Sequence, residues 1–394
     1  MVFLGIDSLA THGFSPLKGK TIGVLCNQAS VTSRLEHLLD LLLPLHQSGF
    51  LKVQVVFGPQ HGLRAHTEDN MIEWEGFEDA QRGWRVCSLY GAVRKPTPEM
   101  LKGVEVLVVD LQDVGARYYT FVWTVALCME ACAELGISMW ILDRPNPLGG
   151  LIVEGPFADP EFASFVGLHP ILARHGLTIG ELARWLCEAY IPKARVSVIK
   201  CRGWKRKMQF PATGLRWLPP SPNMPSHETA MVYPGACLVE GTNLSEGRGT
   251  TRPFEIIGAP WLNSDAFAAD LKSIGLPGVR FIPWDFQPTA RKFAGQICGG
   301  VFVKVTDPLA FRPIWTYASI ILSAKCLAPS RFQWSEPPYE YETERLPIDI
   351  LAGSSRLRSM VDEGRSPEWI GAWLRDEAAE HSTKPSWLYS QGLG

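Results

Sequence analysis

The chain has 394 residues, a length that favours two domains over a single core. Hydrophobic residues make up 46% and charged residues 20%, which excludes a disordered chain, and a formal net charge of −2 leaves no global field to recruit nucleic acid or an anionic membrane. No stretch reaches the ~18 apolar residues of a membrane span, and the N-terminus lacks a basic segment followed by an apolar run of signal length.

In chain order, Thr21–Cys26 (TIGVLC) is a short apolar run rich in β-branched residues and predicts a buried strand. Residues 33–45 carry leucines at helical spacing, and 53–57 (VQVVF) predict a second strand. Two more follow at 104–111 (VEVLVVDL) and 139–142 (MWIL), with a helix over Phe121–Leu135 between them. Strands alternating with helices predict an α/β unit with a Rossmann-like parallel sheet. Ligands of such sheets bind outside the carboxyl ends of the strands. Polar residues gather there: Asn27, then Gln60 and His61, then Asp110, Gln112 and Asp113, then Asp143, Arg144 and Asn146. The loop after the first strand, CNQASVTSRLEHLL, has neither GxGxxG nor a Walker lysine, so NAD, FAD and nucleotide binding are excluded at that loop.

A turn-rich segment from Asn146 to Pro156 sets the expected boundary, giving a first domain over 1–155 and a smaller α/β domain with a mixed sheet over 156–394. Thr178 and Glu181 form a capping box that opens a helix, and 195–200 predict a strand. The segment 218–225 (LPPSPNMP) is a rigid extended loop that either presents Asn223 to a ligand or straps the domains together. In 238–255 (LVEGTNLSEGRGTTRPFE), Glu240, Glu246, Glu255, Arg248 and Arg252 stand among glycines. So charged a loop is expected outside the core, as a solvated turn or as the floor of a polar ligand site. Helices are expected over 265–274, 311–326, 354–362 and 367–380, a strand over 300–305, and an acidic surface loop at 339–344 (YEYETE).

The nine cysteines sit singly apart from Cys128 and Cys132, with no CxxC pair and no clustered histidine. Packing thiols are expected, with no metal and no disulfide. Unpaired thiols and the missing signal suit the cytoplasm; a start placed too far downstream would leave a periplasmic or secreted protein open.

Six runs, taken together and in order, resemble the exo-β-N-acetylmuramidase family, glycoside hydrolases that trim N-acetylmuramic acid from the non-reducing ends of peptidoglycan fragments. They are FGPQHGL from Phe57, CSLYGAVRKPTPEMLK from Cys87, LVVDLQDVGARYYT from Leu107, LDRPNPLGGLIVEGP from Leu142, SPNMP from Ser221, and LVEGTNLSEGRGTTRPFEIIGAP from Leu238. The likeness implies a Rossmann-like domain, a smaller α/β domain, an active site in the cleft between them, a sugar or muropeptide substrate, and no cofactor. One departure stands out: the family pattern FGPxHG carries glutamate at x, where this chain has Gln60. A carboxamide cannot shuttle a proton at neutral pH, and losing a general acid or base costs ~10²–10⁴-fold. Either catalysis moves to another acid or the chain binds sugar without cleaving it.

The expected replacement is Glu73, in the segment 68–75 (EDNMIEWE), with Glu240 or Glu246 as its counterpart across the cleft. Glycoside hydrolysis needs two carboxyls, or one carboxyl plus the substrate's acetamido group. For Glu246 a salt bridge to Arg248 or Arg252 is the alternative. A lactyl carboxylate on the sugar calls for a guanidinium from Arg248, Arg252, Arg117 or Arg144. His61 could position a hydroxyl, act as base or fix its loop. Asn223 and Asn243 suit hydroxyls and the acetamide, and Tyr118 could orient a carboxylate or stack on the ring. Oligomeric state is not legible.

Overall fold

A computed structural model describes residues 1–68, 71–382 and 388–390. Its strands are β1 (Thr21–Cys26), β2 (Lys52–Gly58), β3 (Phe77–Asp79), β4 (Trp84–Ser88), β5 (Val106–Asp110), β6 (Ser138–Leu142), β7 (Glu154–Phe157), β8 (Leu172–Arg174), β9 (Arg195–Ile199), β10 (Ile256–Ala259), β11 (Val279–Phe286) and β12 (Cys298–Val305). Seven of them form one sheet in the order β3-β4-β2-β1-β5-β6-β9. Every pairing in it is parallel except β3 with β4. β5 is buried along its whole length and β1 after its first residue, which is why both read as unbroken apolar runs.

Helices cover the sheet. Phe121–Leu135 is buried over most of its circumference and ends at Gly136 in the left-handed conformation. Ile179–Ala189 opens with the Thr178–Glu181 capping box. The helix expected over 33–45 starts only at Leu38, because the preceding chain turns back on itself through a Val31–His37 bridge and His37 caps the Leu39 amide.

The sheet takes its last strand, β9, from beyond residue 155. The turn-rich segment leads into the small β7–β8 pair before the chain returns to the sheet, so we place the division of the molecule after the proline-rich segment, near Ser226. Beyond it, β10-β12-β11 form an antiparallel sheet. Helix His227–Ala236 packs so closely on helix Pro313–Leu327 that any side chain at Gly235 would run into the Pro313 carbonyl. The stretch expected as one helix over 354–362 is preceded by a separate turn of helix, Pro347–Ala352, broken from Arg356–Asp362 at Gly353.

The switch point of the first sheet lies between β1 and β5, where the chain leaves the centre for opposite edges. The proline-rich segment lies across it. Asn27 Nδ2 donates to the Pro220 carbonyl at 3.0 Å and Gln28 Nε2 to that of Pro219 at 2.7 Å. The molecule's own chain thus fills the usual ligand crevice, and the open cleft lies to one side, beyond the end of β2.

Candidate active site

Two cavities meet there. The narrower, about 40 Å³, is lined from the first half by Gln60, His61 and Tyr118–Phe121, and from the second by Glu240, Arg248, Tyr339 and Glu340. The wider, about 320 Å³, shares Glu240, Arg248 and Tyr339 and adds Glu246, Arg291 and Lys292. The narrow one has room for water, and the wide one for a sugar ring.

The loop 238–255 supplies the charge, and most of its charged residues are buried, contrary to the expectation from its composition. Glu240, Glu246, Arg248 and Glu255 are all at least 91% buried. Pairing explains this. Arg248 Nη2 lies 2.8 Å from Glu240 Oε1, and its Nη1 lies 3.1 Å from Glu246 Oε1. Burial presses the guanidinium's pKa down, but the two carboxylates more than reverse that, so it stays charged. Burial likewise pushes the Glu246 carboxyl up, yet Lys292 and Arg248 outweigh it and hold it below its ordinary value. Lys292 also donates to the carbonyls of Val239, Thr242 and Leu244, where the short 3₁₀ turn Cys237–Gly241 exposes its acceptors. Gly247, at φ 77°, makes the hairpin bend possible, since a side chain there would strike the backbone oxygens of Ile256 and Arg252. The Arg248 guanidinium rests over the Phe254 ring, 4.8 Å from its centroid.

Glu240 is fixed at both oxygens, one by Arg248 and the other by the Tyr339 hydroxyl at 2.8 Å. Tyr339 begins the segment expected as an acidic surface loop, and Glu340 follows it into the cleft at 3% exposure. This is a correction. Reciprocal amide–carbonyl bonds between Tyr339 and Glu342 close a two-residue hairpin, with Glu340 at φ 46° and Tyr341 at φ 71°. Glu340 Oε1 accepts from Gln60 Nε2 at 3.2 Å, and its Oε2 from the Tyr90 hydroxyl at 2.8 Å. Gln60 Oε1 in turn accepts from the Thr120 hydroxyl at 2.5 Å. Burial pushes the Glu340 carboxyl up to about 7; the bonds from Tyr90 and Gln60 oppose the rise and the nearby Glu240 charge adds to it.

The other expected residues divide clearly. His61 lines the narrow cavity; its Nδ1 donates to the Thr67 carbonyl at 2.8 Å, and burial lowers its pKa to about 4, so it is a neutral acceptor. Asn223 and Tyr118 also line it, bonded to the carbonyls of Glu68 and Pro234. Glu73 does not line it: this carboxylate is exposed and accepts from the Tyr341 hydroxyl at 3.2 Å. Between Glu68 and Glu75, Asp69 and Asn70 lie outside the described residues.

The remaining strand-end residues hold the scaffold rather than a ligand. Arg144 makes a buried pair with Asp110, and Asp143 accepts from Thr178, the Gly180 amide and Tyr389. Asn146 ties Leu177 to Leu148, and Asp113 accepts from the Gly115 amide beside His175. Arg117 donates to the carbonyls of Pro156, Ile171 and Leu351, spanning both halves. Asn243 binds the backbone at Arg331 and Gln333, and Arg252 is exposed, 3.8 Å from Glu255. Buried polar groups must be satisfied, and here Arg144 and Asp110 satisfy each other while the other strand-end groups bond mostly to backbone.

Sequence reasoning missed Glu340, Tyr339, Tyr90 and Thr120. The available signal was the aromatic–acid run Tyr339-Glu340-Tyr341-Glu342, of which the adjacent Tyr339 and Glu340 turn inward while Tyr341 stays exposed. All nine cysteines are free, and among the described residues no group of three or more His, Cys, Asp or Glu is arranged to hold a metal ion.

Comparison with known proteins agrees along the whole chain. The family model for the exo-beta-N-acetylmuramidase NamZ N-terminal domain matches residues 22–228, and that for the C-terminal domain matches 231–389. The peptidoglycan beta-N-acetylmuramidase NamZ of Bacillus subtilis (strain 168) is 44% identical over 366 residues, 93% of this chain and 86% of the relative. Two crystal structures of DUF1343 family proteins from Bacteroides fragilis NCTC 9343 are similar. One has a TM-score of 0.83 at 31% identity, covering 99% of both chains. The other has a TM-score of 0.75 at 30% identity, covering 100% of both.

Proposed function

The chain belongs to the exo-beta-N-acetylmuramidase NamZ family, and from that premise we propose that its cleft removes N-acetylmuramic acid from the non-reducing end of peptidoglycan fragments. The chain is a glycoside hydrolase by that membership. The observation that carries the reading to this cleft is Glu240, a buried carboxylate shared by both cavities and fixed at both oxygens by Arg248 and Tyr339.

In this reading the sugar ring occupies the wider cavity. The substrate differs from N-acetylglucosamine by a lactyl carboxylate, and the same cavity is lined by Arg248, Arg291 and Lys292 beside Glu240. These three cations along the cavity suit a carboxylate of the substrate. Glu240, held in place by Arg248 and Tyr339, faces positive charge as the anomeric carbon gains oxocarbenium character. Neutral His61 and Asn223 offer an acceptor and an amide to the polar substituents.

The test is direct. Incubation with para-nitrophenyl N-acetylmuramide and with a MurNAc–GlcNAc disaccharide should release nitrophenol and free N-acetylmuramic acid. No release from either, alongside an active relative, overturns the reading.

A further inference from the structure

The described residues lining the narrow cavity include three acids. Glu68 is exposed, Glu240 is locked in an ion pair, and Glu340 is buried with no cation bonded to it. Both partners of Glu340 are neutral donors, an amide and a phenol. Such donors hold a carboxyl in place in either protonation state, whereas a guanidinium would fix it as the anion. Two carboxyls in one site, one ion-paired and one not, are the arrangement that separates an acid role from an anionic one.

We infer that Glu340 is the proton-exchanging catalytic residue of this cleft and that Gln60 is its positioning residue. The inference rests on the muramidase reading above and adds the group that moves the proton. Protonated Glu340 gives its proton to the glycosidic oxygen as the C1–O bond breaks and the bonding electron pair leaves with that oxygen. Water then adds to C1, and the proton it sheds returns to the Glu340 carboxylate. The sum is one water consumed and two hydroxyls formed. The narrow cavity beside Glu340 and Glu240 is of a size for that water and too small for a sugar ring.

The hairpin supports the assignment independently. Glu340 and Tyr341 both occupy the left-handed region, a conformation that is costly for residues other than glycine and persists where the surroundings impose it. Here the first half of the molecule imposes it. Arg94 lies over the Tyr341 ring at 3.7 Å, Tyr90 meets its edge at 5.7 Å, and Gln60 and Tyr90 hold the carboxyl. Glycine or asparagine would relieve the turn. Glutamate is the residue that puts a carboxyl there, and the pKa raised by burial suits it to proton exchange near neutrality.

The experiment measures kcat, KM and the pH dependence of kcat/KM for the unaltered chain, Glu340→Gln, Gln60→Glu, and the exchange variant carrying both. Glu340→Gln should lower kcat about 100-fold or more with KM within about threefold, and abolish the alkaline limb. The exchange variant returns a carboxyl to the other side of the same hydrogen bond and should recover at least about tenfold of that loss. Gln60→Glu alone sets two carboxyls against each other, so its alkaline limb should move up by about one pH unit or more. Its readout does not depend on Glu340→Gln folding. An active unaltered chain with an equally active Glu340→Gln, or a limb that stays fixed in Gln60→Glu, overturns this inference alone. An inert unaltered chain overturns the muramidase reading with it.

Discussion

Arg248 Nη2 lies 2.8 Å from Glu240 Oε1, and both groups are more than 90% buried. The same guanidinium also serves Glu246, so it is first a bridge between two acids and only then a possible contact for substrate. Arg248→Met should therefore leave two buried carboxylates short of a partner and cost about 3–5 kcal/mol of unfolding free energy. Denaturant unfolding checks this. A guanidinium that served only the sugar would raise KM and leave the unfolding midpoint where it was.

Glu240 and Glu73 make a matched pair for mutagenesis. Glu240→Gln removes the negative charge from the shared wall of both cavities and should lower kcat/KM by about 100-fold or more. Glu73→Gln keeps an acceptor for the Tyr341 hydroxyl at an exposed position, where substitutions stay within about 0.5 kcal/mol, a factor of about two. Steady-state kinetics on one substrate ranks the two.

The Glu340 carboxyl also links stability to pH. Its folded-state pKa is raised from 4.5 to about 7, so between those values the folded chain holds a proton that the unfolded chain has lost. Stability from this group is complete below pH 4.5 and declines as pH rises through about 7. Thermal melts at pH 5 and pH 8 should show a decline in the unaltered chain that is smaller in Glu340→Gln, by up to about 3 kcal/mol.

Arg117 tests the scaffold without touching the chemistry. Its donors satisfy carbonyls of Pro156, Ile171 and Leu351, and Arg117→Met would orphan all three at about 1–3 kcal/mol each. The melting temperature should fall markedly, while KM of the surviving folded enzyme stays unchanged.

Much of this molecule is legible in its sequence, unevenly. Buried parallel strands such as β1 and β5 read directly, because both faces are apolar and no other element looks like that. The capping box at Thr178 is a local rule and holds locally. Loops 238–255 and 339–344 mislead for one shared reason. Charge density predicts exposure only when charges lack partners, and the partners of Glu240 and Glu340 include residues as distant in sequence as Tyr339 and Gln60. Strand-end polarity marks the edge of the sheet beside the open cleft, yet Arg144, Asp110 and Asp143 spend it on holding the chain together. The missing carboxyl at position 60 was the clearest clue. Finding what Gln60 touches took three dimensions.

The proline-rich segment across β1 has a consequence of its own. Pro219 and Pro220 present carbonyls to Asn27 and Gln28 at the switch point of the sheet. In binding terms the segment is a tethered ligand. A linked occupant competes at an effective concentration that reaches the millimolar range for short flexible connections, with no loss of freedom to repay on each visit. A free small molecule would have to outcompete it there, and nothing on the other side of β2 imposes the same handicap. That competition biases the fold toward the cleft beside Gln60. The crevice at the switch point is thereby occupied by the chain's own backbone, and the open cleft lies one strand over, beyond the end of β2.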